Sequence, residues 1–501
     1  MSISVEVHLL SGKAVSLEAE ANETVQEVSQ RAQDALGVGK GRLLTSSGEA
    51  LDGAATVERA SLKDRDVLTL QVGQTEVAVS RKRNVTSILS EDEAACAVVL
   101  GDGCVATWGI AHVGGDSHVV QDLLQNVLHI QASRVAFAAI RADGSVVAWG
   151  SPEHGGDSSA VHEQLQHVKH IQASDGAFAA IRDDASVVTW GDAIFGGDSF
   201  DVQDQLHNVQ CIQASSAAFA AIRGDGSVVT WGHSLLGGDS SAVRNRLQNV
   251  RHIQASAAAF AGIRADGSVV TWGSADSGGD SSAVHEQLEN VKHIQASDEA
   301  FAAVTTDGSV VTWGDVDFGG DSSAVHDQLH NVQCIQATAG AFAAIRDDGS
   351  VVTWGDPAFG GDCSAAQDRL QHVQRIQASS AAFAAILADG SVVTWGNAGS
   401  GGETCAMRDK LQNVLHIQAS FETFAAILTD GSVVTWGNTT KGGNSSAAQS
   451  QLQHVQHIQA SAGAFAAILA DGSVATWGSV YFGGDSSTAQ HLLNNCKACH
   501  A

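Results

Sequence analysis

A 41-residue period governs most of this chain. Trp108, Trp149, Trp190, Trp231, Trp272, Trp313, Trp354, Trp395, Trp436 and Trp477 follow one another at that spacing without an insertion. Nine phenylalanines from Phe137 to Phe465 keep the same step, and Cys96 occupies their slot in the first repeat. Repetition at this length identifies an array of supersecondary units, each too small to bury its own apolar faces, which therefore must stack on its neighbours. It also removes most catalytic designs. A catalytic site is one asymmetric constellation, and here every polar motif recurs about ten times.

One unit, residues 250–290, shows what is repeated. Val250, Ile253 and Ala255 lie in a short apolar segment, and Phe260-Ala261-Gly262-Ile263 form a compact buried run. Asp266-Gly267 is a hairpin turn signal, because glycine tolerates positive φ. Ser268-Val269-Val270-Thr271-Trp272 is a β-branched strand ending in an aromatic. Gly278-Gly279-Asp280-Ser281 follows, where Asp280 or Ser281 can cap a helix carrying Val284, Leu288 and Val291 on one stripe. The unit reads as strand, strand, turn, strand, loop, short helix. Trp272 and Phe260 are expected to fill the seam between units, each burying roughly 150–250 Å².

The string V-x-x-I-x-A-S-x-x-x-F-A-x-I-x-x-D-G-S-V-V-T-W-G resembles the repeat of the regulator-of-chromosome-condensation family. The resemblance covers residues 85–495 and implies a β-propeller. Ser256 and Phe260 stand where that family has a glycine and a histidine, and 41 residues is shorter than its usual blade. Ten such units can close as a propeller-like ring or stay an open superhelical solenoid.

Residues 1–74 carry a different pattern. Val5, Val7 and Leu9 alternate as in a strand, and Val15-Leu17 opens a second alternating run. Thr24 caps a helix with Val25, Val28, Ala32 and Leu36 on one face, which Gly37 ends. Arg42-Leu43-Leu44 and Val67-Leu68-Thr69-Leu70 are further strands. In order, Leu10-Ser11-Gly12-Lys13, Leu17-Glu18, Thr24-Val25, Arg42-Leu43-Leu44, Gly48, Leu51 and Leu68-Thr69-Leu70 resemble ubiquitin, which implies a β-grasp domain. The resemblance further implies an apolar docking patch, with Leu10 and Leu44 supplying two of its residues and the polar Gln71 at the third position. The chain continues through Gly73-Gln74 with no terminal Gly-Gly, so the domain is expected to be a built-in docking module. The expected fold class is thus mainly β with short helices. The division runs 1–74 ubiquitin-like, 75–84 linker, 85–495 repeat array and 496–501 a degenerate repeat start.

The formal net charge of -28 argues against nucleic acid and anionic membranes as partners. Arg81-Lys82-Arg83 is a run of only three and reads as solvated linker. There is neither a leader-like start nor an 18-residue apolar run, and the scattered cysteines read as reduced thiols, which together suggest an intracellular protein, cytoplasmic or nuclear.

Three further motifs suggest sites and have simpler explanations. Cys496-Lys497-Ala498-Cys499-His500 matches a c-type haem string, but its CxxC spacing is the repeat's own Val and Ile spacing. His129, His170, His252, His293, His416 and His457 share one repeat position, but Cys211, Cys334 and Arg375 occupy it elsewhere, so a polar surface row is expected rather than a metal ladder. Gly-Gly-Asp-Ser could hold an anion at a helix start, although no P-loop lysine follows. No cofactor, metal or catalytic residue is therefore expected.

What differs between units is the four residues separating each Trp-Gly from its Gly-Gly. In that row Phe195, Leu236, Phe318, Phe359, Tyr481 and Phe482 are candidates for an apolar contact rim. The expected function is a non-enzymatic protein-interaction scaffold, with ubiquitin-receptor or ligase components among its partners. The alternative is a substrate-recruiting component of a ubiquitin ligase pathway, since large HECT-type ligases carry similar repeats. A third reading, nucleotide exchange on a small GTPase, lacks the inserted wedge that the repeat family uses for it.

Overall fold

A computed structural model of the protein describes residues 2–9, 13–36, 41–45, 51, 55–72, 76–79, 94–404, 407–489 and 493. The first part is a four-stranded sheet on one helix. Its elements are β1 (Ser2–His8), β2 (Ala14–Glu20), α1 (Val25–Leu36), β3 (Gly41–Leu44) and β4 (Asp66–Val72), with sheet order β2-β1-β4-β3. β1 runs parallel to β4 and antiparallel to β2. The helix starts in a capping box: the Thr24 N–H donates to Glu27 Oε2 at 2.9 Å, and the Glu27 N–H donates to Thr24 Oγ1 at 3.2 Å. Val5, Val7, Val28, Ala32, Leu43 and Leu68 close the core. Gly37 lies outside the described residues.

The rest is mainly β, a series of three-stranded antiparallel sheets with short 3₁₀ turns between them. In the fifth unit the strands are Val250–Ala255, Ala259–Arg264 and Val269–Gly273, here called inner, middle and outer. The middle strand is buried along its apolar length because both of its faces are covered. Ala259, Ala261 and Ile263 pack on the unit's own Leu288 and on the following unit's Ile294 and Phe301. Phe260, Val270 and Trp272 pack on the preceding unit's Ala218, Ala220 and Ile222. The two-residue period of a strand thus sends alternate side chains into opposite seams. Within the unit, Phe260 and Trp272 are cross-strand partners whose rings stack at 5.3 Å.

Glycine makes the seam possible. Trp272 Nε1 donates to the Gly237 carbonyl of the preceding unit at 3.1 Å. Gly237 has φ +100, and a Cβ there would stand 2.5 Å from the Phe260 ring. The expected helix is a 3₁₀ segment, Ser282–Gln287. Its start is held by Asp280, whose carboxylate accepts from the Ser282 N–H at 2.9 Å, and the Ser281 side chain makes no capping bond. Val284 is half-buried and Leu288 buried, so the apolar stripe is used although the helix is too short to be α.

The first strands of successive units touch one another in an unbroken cycle, which makes them the innermost strands. The cycle returns to its start. Trp108 Nε1 donates to the Gly483 carbonyl at 2.7 Å, and Trp108 packs in one cluster with Ala466, Ile468 and Val474 of the tenth unit. Of the two arrangements open to the sequence, the array adopts the closed ring.

One boundary differs from expectation. The inner strand of the first unit is β5 (Glu76–Val79), inside the expected 75–84 linker, and it pairs with β6 (Ala95–Val99), which pairs with β7 (Val105–Gly109). Val79 opposes Cys96 as Ala132 opposes Phe137 in the second unit. Alternating β-branched residues in Glu76-Val77-Ala78-Val79 suit a strand, and the edge of β6 needs a hydrogen-bonding partner. Arg81-Lys82-Arg83 and the repeat-frame residues 86–91 lie outside the described residues, as do 496–501.

Candidate functional site

The loop between each Trp-Gly and Gly-Gly is a tight turn, 3₁₀ in every unit but the fifth, where Ala275–Gly279 is a wider π turn. In the third unit Asp192 Oδ1 accepts from the Ile194 N–H at 2.8 Å, and Gly196 at φ 91 ends the turn. The fourth loop residue is anchored inward, since its carbonyl accepts from the serine that starts the inner hairpin: Ser174 Oγ to Phe195 at 2.7 Å and Ser215 Oγ to Leu236 at 2.8 Å.

This anchoring sorts the rim residues. Phe195, Leu236, Phe318 and Phe359 are half-buried. Phe195 lies against Gly176 and faces the His154 ring at 6.1 Å. Phe482 is only 6% exposed and packs on Ala94 and Ala464, so it offers no contact surface. Tyr481 is 61% exposed. The more open apolar side chains are one or two places earlier in the loop: Ile194, Leu235, Val316 and Val480, between 56% and 72% exposed. Sequence reading missed them by weighting aromatic residues. The signal was positional, since the residue just before a left-handed glycine at a seam is drawn toward that seam.

In the ubiquitin-like domain Leu43 is buried and Leu44, its neighbour on β3, is half-buried, with Thr69 opposite it on β4. Strand alternation therefore turns Leu44 away from the core. Leu10 lies outside the described residues, and so does the side chain of Gln71.

The histidine row lies on the inner strands. A β-bulge between Val168 and His170 recurs from the second unit to the tenth, and in most of them it places two consecutive exposed residues there, such as Lys169 and His170 or Arg251 and His252. His170 is held below the ordinary imidazole range by burial and by His129, His293 by burial, His252 and Lys292, and His416 by burial, His457 and Arg375. A 220 Å³ hollow opens on this wall, lined by Cys334, Gln336, Gln374, Arg375, Gln377 and His416.

Four of the thiols are held in their protonated form by burial. Burial pushes Cys96 up to about 12, and burial likewise raises Cys211, Cys334 and Cys363. Among the described residues Cys96, Cys211, Cys334 and Cys363 form no disulfide, and no group of three or more His, Cys, Asp or Glu is placed to hold a metal. No described helix is long and apolar enough to cross a membrane. Cys496, Cys499 and His500 lie outside the described residues.

No family model matches the chain, and no curated protein does. Solved structures similar to it include proteins of both expected kinds. Yeast RCC1 (Prp20), in a complex with Kap60, is 16% identical, with 60% of this chain and 79% of that one covered and a TM-score of 0.33. The computationally designed Ika8 protein is 14% identical over 70% of this chain and 96% of its own, with a TM-score of 0.30. Ubiquitin from Caldiarchaeum subterraneum is 23% identical over 14% of this chain and 91% of its own, with a TM-score of 0.13.

Proposed function

We propose that the protein is a non-enzymatic interaction scaffold in which the ring holds one protein partner through its loop rim and the ubiquitin-like domain docks another. One observation carries this reading. The residues that build the seams recur from unit to unit, whereas the loop positions that differ include the exposed Ile194, Leu235, Val316, Val480 and Tyr481. A rigid repeated frame that varies where it meets solvent is suited to recognising an extended protein surface. Burial holds the Cys96 thiol up near 12, which makes it a poor nucleophile and suits a non-catalytic role. The charge of -28 favours proteins over nucleic acids as partners. For the outward-facing Leu44 we propose ubiquitin-receptor or ligase-pathway proteins, and the ligase context itself is part of this proposal.

The test is affinity capture with the full chain, with an Ile194→Asp/Leu235→Asp variant and with a Leu10→Ala/Leu44→Ala variant. Each variant should lose a different set of proteins while melting like the parent. Identical catches from all three would overturn the scaffold reading.

A further inference from the structure

The acidic protein places four unpaired cations on its inner strands. Arg141, Arg182, Arg223, Arg264 and Arg346, at the ends of middle strands, each lie within 4.0 Å of a turn aspartate such as Asp143 or Asp266. Lys169, Arg251, Lys292 and Arg375 lie at the bulge of inner strands and are exposed. Among the described residues none of these four has a carboxylate partner, and the Lys169 ammonium meets only the Asp183 main-chain carbonyl, at 3.5 Å. The nine inner strands from Val127–Ala132 to Val455–Ala460 contain no Asp or Glu. Their polar side chains are glutamines, imidazoles and thiols beside the four cations. With a formal charge of -28 on the whole chain, this is a local reversal of sign along a surface that nine units share, the first unit's inner strand beginning instead with Glu76.

The geometry concentrates that reversal. Neighbouring units are joined at one mouth by backbone hydrogen bonds running around the ring, from the Arg134 N–H to the Asp175 carbonyl at 3.1 Å, Asp175 to Ser216 at 2.9 Å, and onward by single steps to Phe421 and Ala462. Units joined in this way stand about 5 Å apart at that mouth, which lies at the end of the inner strands opposite the bulge. At the bulge end the hollow is lined by Cys334, Arg375 and His416, which hold the same slot in three successive units, so side chains from neighbouring units meet there.

We propose that the central channel is a binding site for a compact, multivalent phosphate anion, held by Lys169, Arg251, Lys292 and Arg375 with the glutamines as neutral donors. Arginine offers a planar fork that matches phosphate oxygens, and the glutamine amides add donors without adding charge. A small polyanion can meet cations from several units at once, which a single surface phosphate could not do. The anion would also offset repulsion between the crowded imidazoles and cations, tying its binding to the stability of the ring. This site is separate from the loop rim and does not depend on the scaffold reading.

The probe is inositol hexakisphosphate, titrated calorimetrically into the full chain at low and high NaCl. Binding should weaken as salt screens the charges. Arg375→Gln and the double variant Arg251→Gln/Lys292→Gln should each weaken it by about tenfold or more. Arg264→Gln, which removes a cation paired with Asp266 outside the channel, should leave it unchanged. Thermal melts establish that each variant is folded. Absence of binding at low salt overturns the proposal, as does affinity that survives both channel variants. A poly-glutamate peptide binding as tightly as the phosphate probe would also overturn it, since the channel would then select an acidic protein segment.

Discussion

Trp108 donates its indole N–H to the Gly483 carbonyl across the point where the first unit meets the tenth. Every other tryptophan makes this bond to the glycine 35 residues earlier, as Trp149 does to Gly114 at 3.0 Å. For Trp108 the partner lies 375 residues later. The closing seam is therefore built like the others, with one substitution: Cys96 stands where the other units place the stacked phenylalanine.

That seam leans on β5. A fragment spanning 75–501 keeps Glu76–Val79 and should protect the Ala95–Val99 amides from hydrogen exchange as the full chain does. A fragment spanning 80–501 leaves the β6 edge unpaired and loses the buried Ala78 and Val79. We expect about 3–5 kcal/mol less stability in that region and fast exchange on β6. Equal protection in the two fragments would show that β5 is dispensable.

Ala185 occupies a position where the equivalent residues, such as Gly226 and Gly267, are glycine, and it has φ 63. A left-handed alanine costs roughly 1–2 kcal/mol relative to its ordinary conformations. The Cβ adds a steric load, because a Cβ at Gly226 would stand 2.8 Å from the Asn249 Cα. Ala185→Gly should therefore stabilise the array by about 1 kcal/mol in denaturant melts, net of the added freedom of the unfolded chain.

The opposite change at Gly278 should be severe. Its φ is +89, and an added Cβ would meet the Phe301 ring at 2.5 Å. Gly278→Ala should cost about 3 kcal/mol, combining left-handed strain with displacement of the Phe301–Trp313 stack. Near-ultraviolet circular dichroism would report the disturbed aromatic pair, and an unchanged spectrum with an unchanged melt would contradict this seam geometry.

Acid should weaken the array in two stages. His170, His293 and His416 are depressed in the folded protein, so their contribution to stability is complete above the unfolded imidazole value of about 6.5 and declines as pH falls below it. The turn aspartates, Asp266 among them, are held low by the serine two residues on, which donates through its hydroxyl and its N–H. Their contribution is complete above the unfolded carboxyl value of about 3.9 and is lost as pH falls through the depressed folded values. Melting temperature should be flat above pH 7, decline gently below about 6.5 and fall steeply below about 4. A melting temperature that rises on acidification would contradict both assignments.

Much of this was legible in the residues. The Asp266-Gly267 turn, the strand ending at Trp272, the Phe260 seam and the capped helix of the ubiquitin-like domain all follow from local spacing, because turn chemistry and strand alternation act within a few residues. The left-handed Asn249, matched by His167 and His372 in other units, went unread. Its reason is a neighbour across space: Gly267 packs against the main chain of Asn290, the equivalent of Asn249 in the following unit. The exposed rim went partly unread for the same reason, since a carbonyl anchored by Ser174 decides that Phe195 turns inward and Ile194 outward.

By itself the sequence determined the unit, its period and the residues that fill each seam, since these depend on short-range pattern and side-chain size. Only the tertiary structure decided that ten units close, that Glu76–Val79 completes the first of them, and that the inner strands face one another around a channel. Closure depends on the small rotation between neighbouring units summed over every seam. No single repeat encodes that sum, and the Trp108–Gly483 bond forms only once it is complete.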